Sequence, residues 1–243
     1  DYPGLGMIAI SFAIAIAIAV YAFGETSGAH INPAVTVSLA ATGRFPWGEV
    51  APYLVAQLVG GFIGALLIVA SFGSGIVDLA AAGNTTVAED TSYIEAIVAE
   101  AVGTFLLLTA VMALAVDRRA APGWAGLMIG LAVGGAILVI GPLTGGSLNP
   151  ARTFGPLLAT TLWGGDTNWG DFPVYIIGPL IGGAVAAFLY DYVARPGEVG
   201  AELGAPGEGR EPAAEPPPRP RGREPPATLP GGGGERRSQT EEE

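Results

Sequence analysis

The tripeptide Asn-Pro-Ala occurs twice in this chain, and each copy interrupts an apolar stretch. The second copy, Asn149-Pro150-Ala151, lies in LTGGSLNPARTFGP over residues 143–156, between two hydrophobic runs. A Gly pair ends the preceding helix. Pro150 suits a first helical turn, where a missing N–H costs nothing, and Asn149 stands at the N-cap. The pattern predicts a short helix over about 150–160. The first copy, Asn32-Pro33-Ala34 in SGAHINPAVTVS, predicts another over about 33–42. Neither reaches the roughly 20 apolar residues that cross a bilayer. Half-helices at membrane depth leave irregular backbone, which is tolerated only inside protein or beside a wet cavity.

The repeat extends beyond the tripeptides. Tyr53 to Gly61 reads YLVAQLVGG and Tyr175 to Gly183 reads YIIGPLIGG, so the Tyr, one Leu and both Gly coincide. Five runs are apolar and long enough to span: about 5–23, 50–72, 94–116, 124–140 and 172–194. The expected fold is an all-α membrane protein made of two copies of one unit. Arg44, Arg118, Arg119 and Arg195 fall on one side, and the opposite loops carry acids without Arg. The positive-inside rule makes the Arg side cytoplasmic in a multi-pass cell-membrane protein. One half-helix then enters from each side, which is the inverted topology of transport folds. Residues 1–195 form the expected membrane domain. Residues 196–243, rich in Pro, Gly, Glu and Arg, are expected to be a disordered cytoplasmic tail.

The unit reads helix, helix, half-helix, helix. Glu100, the only ionisable residue deep in a span, precedes Asn149 by 49 residues, and the matching position before Asn32 falls upstream of Asp1. The first spanning helix is therefore expected to be absent from this chain, either by truncation, which the start at Asp1 and not Met favours, or because the protein is an unusual five-span one. A net charge of −11 argues against nucleic-acid partners. One His and no Cys provide neither a thiolate nucleophile nor a metal-ligand cluster, so no enzyme, metal or cofactor is expected.

Two Asn-Pro-Ala motifs, the second followed by Arg152, with Ser-Gly-Ala-His before the first, resemble the aquaporins, or major intrinsic proteins. The resemblance covers residues 1 to about 195. It implies an aquaporin-like inverted repeat, in which two half-helices meet head to head at the midplane, assembled as a homotetramer in the lipid bilayer. It implies that Asn32 and Asn149 turn their amides into a pore. It places a selectivity filter at Phe12, Ile137, Gly146 and Arg152, closest to the archaeal methanogen-type aquaporins, which also pair Phe with Ile. Water-selective relatives usually carry His at the Ile137 position, so this filter is expected to be wider and less polar. Glycerol facilitators carry Asp after the Arg, where this chain has Thr153. Glu100 is expected to support the second broken segment, and His30 to pack at the cytoplasmic pore mouth. Glycines 60, 61, 64, 182 and 183 are expected to permit close helix crossing.

The resulting expectation is a passive channel for water and for small neutral solutes such as glycerol, excluding protons and ions. The alternative is a secondary transporter, which also uses inverted repeats and broken helices. Coupling would need an ion site or titratable relay at the midplane, where only Arg152 and Glu100 are available.

Overall fold

The computed structural model describes residues 4–194. Asp1, Arg195 and the expected tail at 196–243 lie outside the described residues. The chain runs α1 (Leu5–Ser27), α2 (Pro33–Ala41), α3 (Trp47–Phe72), α4 (Gly75–Ala80), α5 (Tyr93–Val111), α6 (Ala125–Thr144), α7 (Pro150–Leu162) and α8 (Val174–Ala194). Among the described residues there is no strand. Five helical stretches are long and apolar enough to cross a membrane: α1, α3, α5 with its extension to Val116, α6, and α8 with the short turn before it.

Two helices run about four residues beyond the ranges expected from hydrophobicity alone. The ends are set by glycine caps. Gly28 and Gly145 both sit in the left-handed region, with φ 79° and 76°, and return their N–H groups to Gly24 O and Gly141 O. A helix stops where a residue without Cβ takes that conformation. Gly24, Gly141 and Pro142 inside the last turns do not stop it. At the end of α5 the helix widens into a π turn over Met112–Val116, closed by Asp117 N–H on Met112 O at 3.0 Å.

Between membrane helices there is little hydrophobic driving force, so close packing of small residues decides which pairs meet. α6 lays Gly130 and Gly134 against the Ala13 and Ala9 carbonyls of α1. α8 lays Gly182 against the Ala101 carbonyl of α5, and Gly183 against Ser38 of α2. Gly61 of α3 meets the Ala151 carbonyl of α7, and Gly155 of α7 meets Gly61 in return. Gly60 and Gly64 have no described neighbour within 4 Å of a Cβ position, so the expected close crossing is found at only three of those five glycines. α3 is accordingly far more exposed than α8, with 11% of its span buried against 44%.

At one end of the bundle the helices are tied by charge. Arg44, just after α2, forms a paired hydrogen-bonded bridge to Asp191 of α8 at 2.6 and 2.8 Å. Asp117 accepts from Arg119 and from Tyr190 Oη, and Arg119 also donates to Ala194 O at the end of α8.

Candidate functional site

The two half-helices meet N-terminus to N-terminus. In each, the Asn before Pro has extended backbone and caps its own helix. Asn32 Oδ1 accepts from Ala34 N at 2.8 Å, and Asn149 Oδ1 accepts from Ala151 N and Arg152 N at 3.0 and 3.2 Å. Each amide nitrogen then reaches across to the other broken segment. Asn32 Nδ2 donates to Leu148 O and Asn149 Nδ2 donates to Ile31 O, both at 2.8 Å. An amide NH2 carries two protons. One of each is used in this reciprocal lock, and the second is left for whatever occupies the space beside it.

That space is a cavity of about 240 Å³. Its lining includes Phe12 and Arg152, both Asn32 and Asn149, and Leu39 and Val116. Part of the lining is apolar, with Phe12, Ile16 and Val20 at helical spacing on α1 together with Leu107, Val111, Ile129 and Val133. Another part is the backbone of the two broken segments. Ala29, Ile31 and Leu148 there have φ of 44°, 43° and 59°, and Gly146 has φ 64°. An L-residue in this region costs about 1 kcal/mol or more, so the segments need outside support.

Glu100 supplies that support for the second segment. It is fully buried on α5 and accepts from Thr144 Oγ1 at 2.7 Å, Ser147 N at 2.9 Å and Leu148 N at 2.6 Å. With Leu148 N held there, Leu148 O is aimed at Asn32. Tyr175 Oη donates to Thr144 O behind it at 2.8 Å.

Arg152 projects from the first turn of α7. Its Nη1 donates to Gly83 O at 2.6 Å, and its guanidinium carbon lies 4.7 Å from the centre of the Phe12 ring. Its Nε is buried without a partner. Among the described residues the ion pairs are Arg44–Asp191 and Arg119–Asp117, so Arg152 lines the cavity with no carboxylate in direct salt-bridge contact. Ile137 and Gly146, expected beside Phe12 and Arg152, pack on each other. A Cβ on Gly146 would stand 3.1 Å from Ile137 Cα, and neither residue lines the cavity as Phe12 and Arg152 do.

His30 lines the cavity in the first broken segment. Its ring lies 4.8 Å from the Phe45 ring and 4.9 Å from the Tyr53 ring. Its tautomer follows from proton counting. Thr36 Oγ1 donates to Asn32 O and receives Gln57 Nε2, so the 3.1 Å contact with His30 Nδ1 requires a proton on that nitrogen. Nε2 is left as an acceptor beside Gly28. The roles of Thr36, Gln57, Phe45 and Tyr53 are not legible in the sequence, and neither are Ile16 and Val20 as lining residues, although their helical spacing from Phe12 is a signal that could have found them. The Gly83 carbonyl carries no side-chain signal at all.

Two opposed re-entrant half-helices beside one continuous cavity define a pore-type membrane protein. The chain belongs to the major intrinsic protein family, whose profile matches residues 2–190. It is similar to the probable aquaporin AqpM of Archaeoglobus fulgidus, with 51% identity over 80% of this chain and 78% of the relative. It is 45% identical to aquaporin AqpM of Methanothermobacter marburgensis, over 78% of each chain. Among solved structures it resembles the aquaglyceroporin from Plasmodium falciparum, with a TM-score of 0.71 and 25% identity over 81% of this chain and 85% of that one.

Proposed function

We propose that this protein is a passive channel for water and small neutral solutes of glycerol size or below, closed to protons and ions. The observation that carries this reading is the reciprocal lock of Asn32 and Asn149. It leaves one N–H of each amide directed at a cavity whose lining is in part apolar. A water passing there must turn its oxygen to both amides and finds no acceptor among the apolar residues. A chain of waters is thereby interrupted as a proton path. Each half-helix N-terminus adds roughly half a positive charge at the same point. Arg152 adds a full charge with no direct salt-bridge partner, so cations meet a barrier that neutral solutes do not.

Phe12 and Arg152, which line the cavity, form the exposed part of the filter; Ile137 and Gly146 pack on each other behind it, and their place in the filter rests on the resemblance alone. Ile137 offers no hydrogen bond where a polar side chain would favour water, and Gly146 takes up no side-chain volume. The names of the relatives, aquaporin and aquaglyceroporin, agree with this solute range. The assembly is a homotetramer, as the resemblance implies, with the Arg44, Arg118 and Arg119 face and the tail in the cytoplasm. No residue in the cavity acts as a catalytic group.

The test is stopped-flow light scattering on proteoliposomes under water, glycerol and urea gradients. The parent passes water and glycerol, and Ile137→His lowers glycerol flux more than water flux. Water flux with no solute flux, or an unchanged glycerol-to-water ratio in the variant, contradicts the filter.

A further inference from the structure

Thr153 follows the filter arginine, yet it is buried to 1% exposure and does not line the cavity. Its hydroxyl lies 2.7 Å from Thr85 Oγ1 and 2.6 Å from Ser147 Oγ, and Ser147 Oγ lies 2.9 Å from Asn149 O. A carbonyl only accepts, so Ser147 gives its single proton to Asn149 O. Ser147 must then accept from Thr153. With its own proton spent, Thr153 must accept from Thr85. The hydroxyls therefore run one way, from Thr85 through Thr153 and Ser147 to the Asn149 carbonyl.

This chain joins α7 and the second broken segment to a strap over residues 81–88. The strap begins in a left-handed turn, with φ of 45° at Ala81, 50° at Ala82 and 86° at Gly83. Two alanines disfavour that conformation, so it depends on anchors. Thr160 Oγ1 donates to Ala81 O at 2.8 Å, Val87 N donates to Asp171 Oδ2 at 3.0 Å, and Ala88 N donates to Leu143 O at 2.9 Å. Thr85, 4% exposed, holds the middle. What the strap presents is the Gly83 carbonyl, the one hydrogen-bond acceptor on the Arg152 guanidinium among the described residues.

We propose that Thr153 is a positioning residue for Arg152. Through Thr85 it fastens the strap that offers Gly83 O, and through Ser147 it ties that strap to the segment carrying Asn149. Residue 153 thus governs passage without touching the permeant. Unfastened, the Gly83 carbonyl leaves, and the guanidinium, which has no carboxylate to hold it, swings over the cavity mouth. This inference rests on the channel reading above.

The experiment compares Thr153→Val, Thr85→Val, the double variant and Thr153→Ser in proteoliposomes. A parallel measurement follows backbone hydrogen exchange over residues 83–88 in the purified full chain. Each Val variant lowers water permeability about fivefold, the population change that one lost hydrogen bond permits. The double variant loses no more than either single one, because both cut the same chain. Thr153→Ser retains parental flux. Exchange at Val87 and Ala88 rises in both Val variants. Parental flux in both Val variants, additive losses, or unchanged exchange overturns the proposal. A parent without water flux contradicts the channel reading itself, and the exchange arm then decides whether Thr153 fastens the strap. If Thr153→Val does not fold, Thr85→Val, outside the helices, carries the same comparison.

Discussion

Asn32 and Asn149 each do two jobs with one amide, capping a half-helix through oxygen and gripping the opposite segment through nitrogen. The capping half was legible in the sequence, because Asn before Pro before an apolar run has few other readings. The gripping half was not, since it depends on a carbonyl 116 residues away. Glu100 stood out as the lone carboxylate deep in a span, and the structure surrounds it with three donors. Glu100→Gln exchanges one acceptor oxygen for a donor facing a donor, and it should destabilise the protein by about 1–3 kcal/mol. Thermal unfolding in detergent measures it, and a melting temperature equal to the parent's would deny Glu100 that supporting role. Arg152→Val should keep water flux and raise proton leak about tenfold or more, a barrier change of ~1.4 kcal/mol. Unchanged leak in liposomes carrying an internal pH dye would show that the charge is not part of the barrier. Gly146 is a poor place to probe the filter by adding bulk, since its φ of 64° and the 3.1 Å approach of Ile137 Cα penalise any side chain.

Helix pairing rests on single glycines, and neighbouring ones differ sharply. On α6, Gly134 meets the Ala9 carbonyl at 2.9 Å from a Cβ position, whereas Gly135 meets nothing within 4 Å. Gly134→Ala should push α1 from α6 and lower the melting temperature. Gly135→Ala should leave it unchanged or raise it, because Ala is better in a helix by about 1 kcal/mol. Equal effects of the two changes would mean that close approach does not set this crossing. Sequence alone cannot separate such neighbours, since hydrophobicity is the same on every side of a membrane helix. It also placed the ends of α1 and α6 too early, because the capping glycines differ from the interior ones only in φ. Just after the C-terminal end of α5, the Arg119 side chain hydrogen-bonded to Asp117 holds that carboxyl well below the usual carboxylate range, with help from Arg119 N–H and Tyr190. A depressed carboxyl stabilises the fold above its unfolded pKa of about 3.9 and loses that contribution as pH falls towards its folded value. Asp117→Asn should therefore melt earlier than the parent at pH 7, with the difference shrinking below about pH 4. A gap that persists at low pH would assign the effect to packing.

Across the whole molecule, the two copies of the unit turn two short helices, each too weak to stand alone in a bilayer, into one central junction. The repeat, the broken segments and the five spans were all legible, because a bilayer allows so few ways to place a half-helix. The strap carrying Gly83 and the hydroxyl chain beneath it were not, since loop carbonyls and Thr–Thr contacts leave no periodic trace. The defining property of this junction is that it passes water while stopping protons. The direct measurement is osmotic shrinkage and internal pH followed in the same proteoliposomes, with no ion gradient other than protons. Water permeability should rise well above that of empty vesicles, while a pH step should decay no faster than in empty vesicles. Fast water flux accompanied by fast pH decay, or water flux no greater than that of the bare bilayer, would contradict the account.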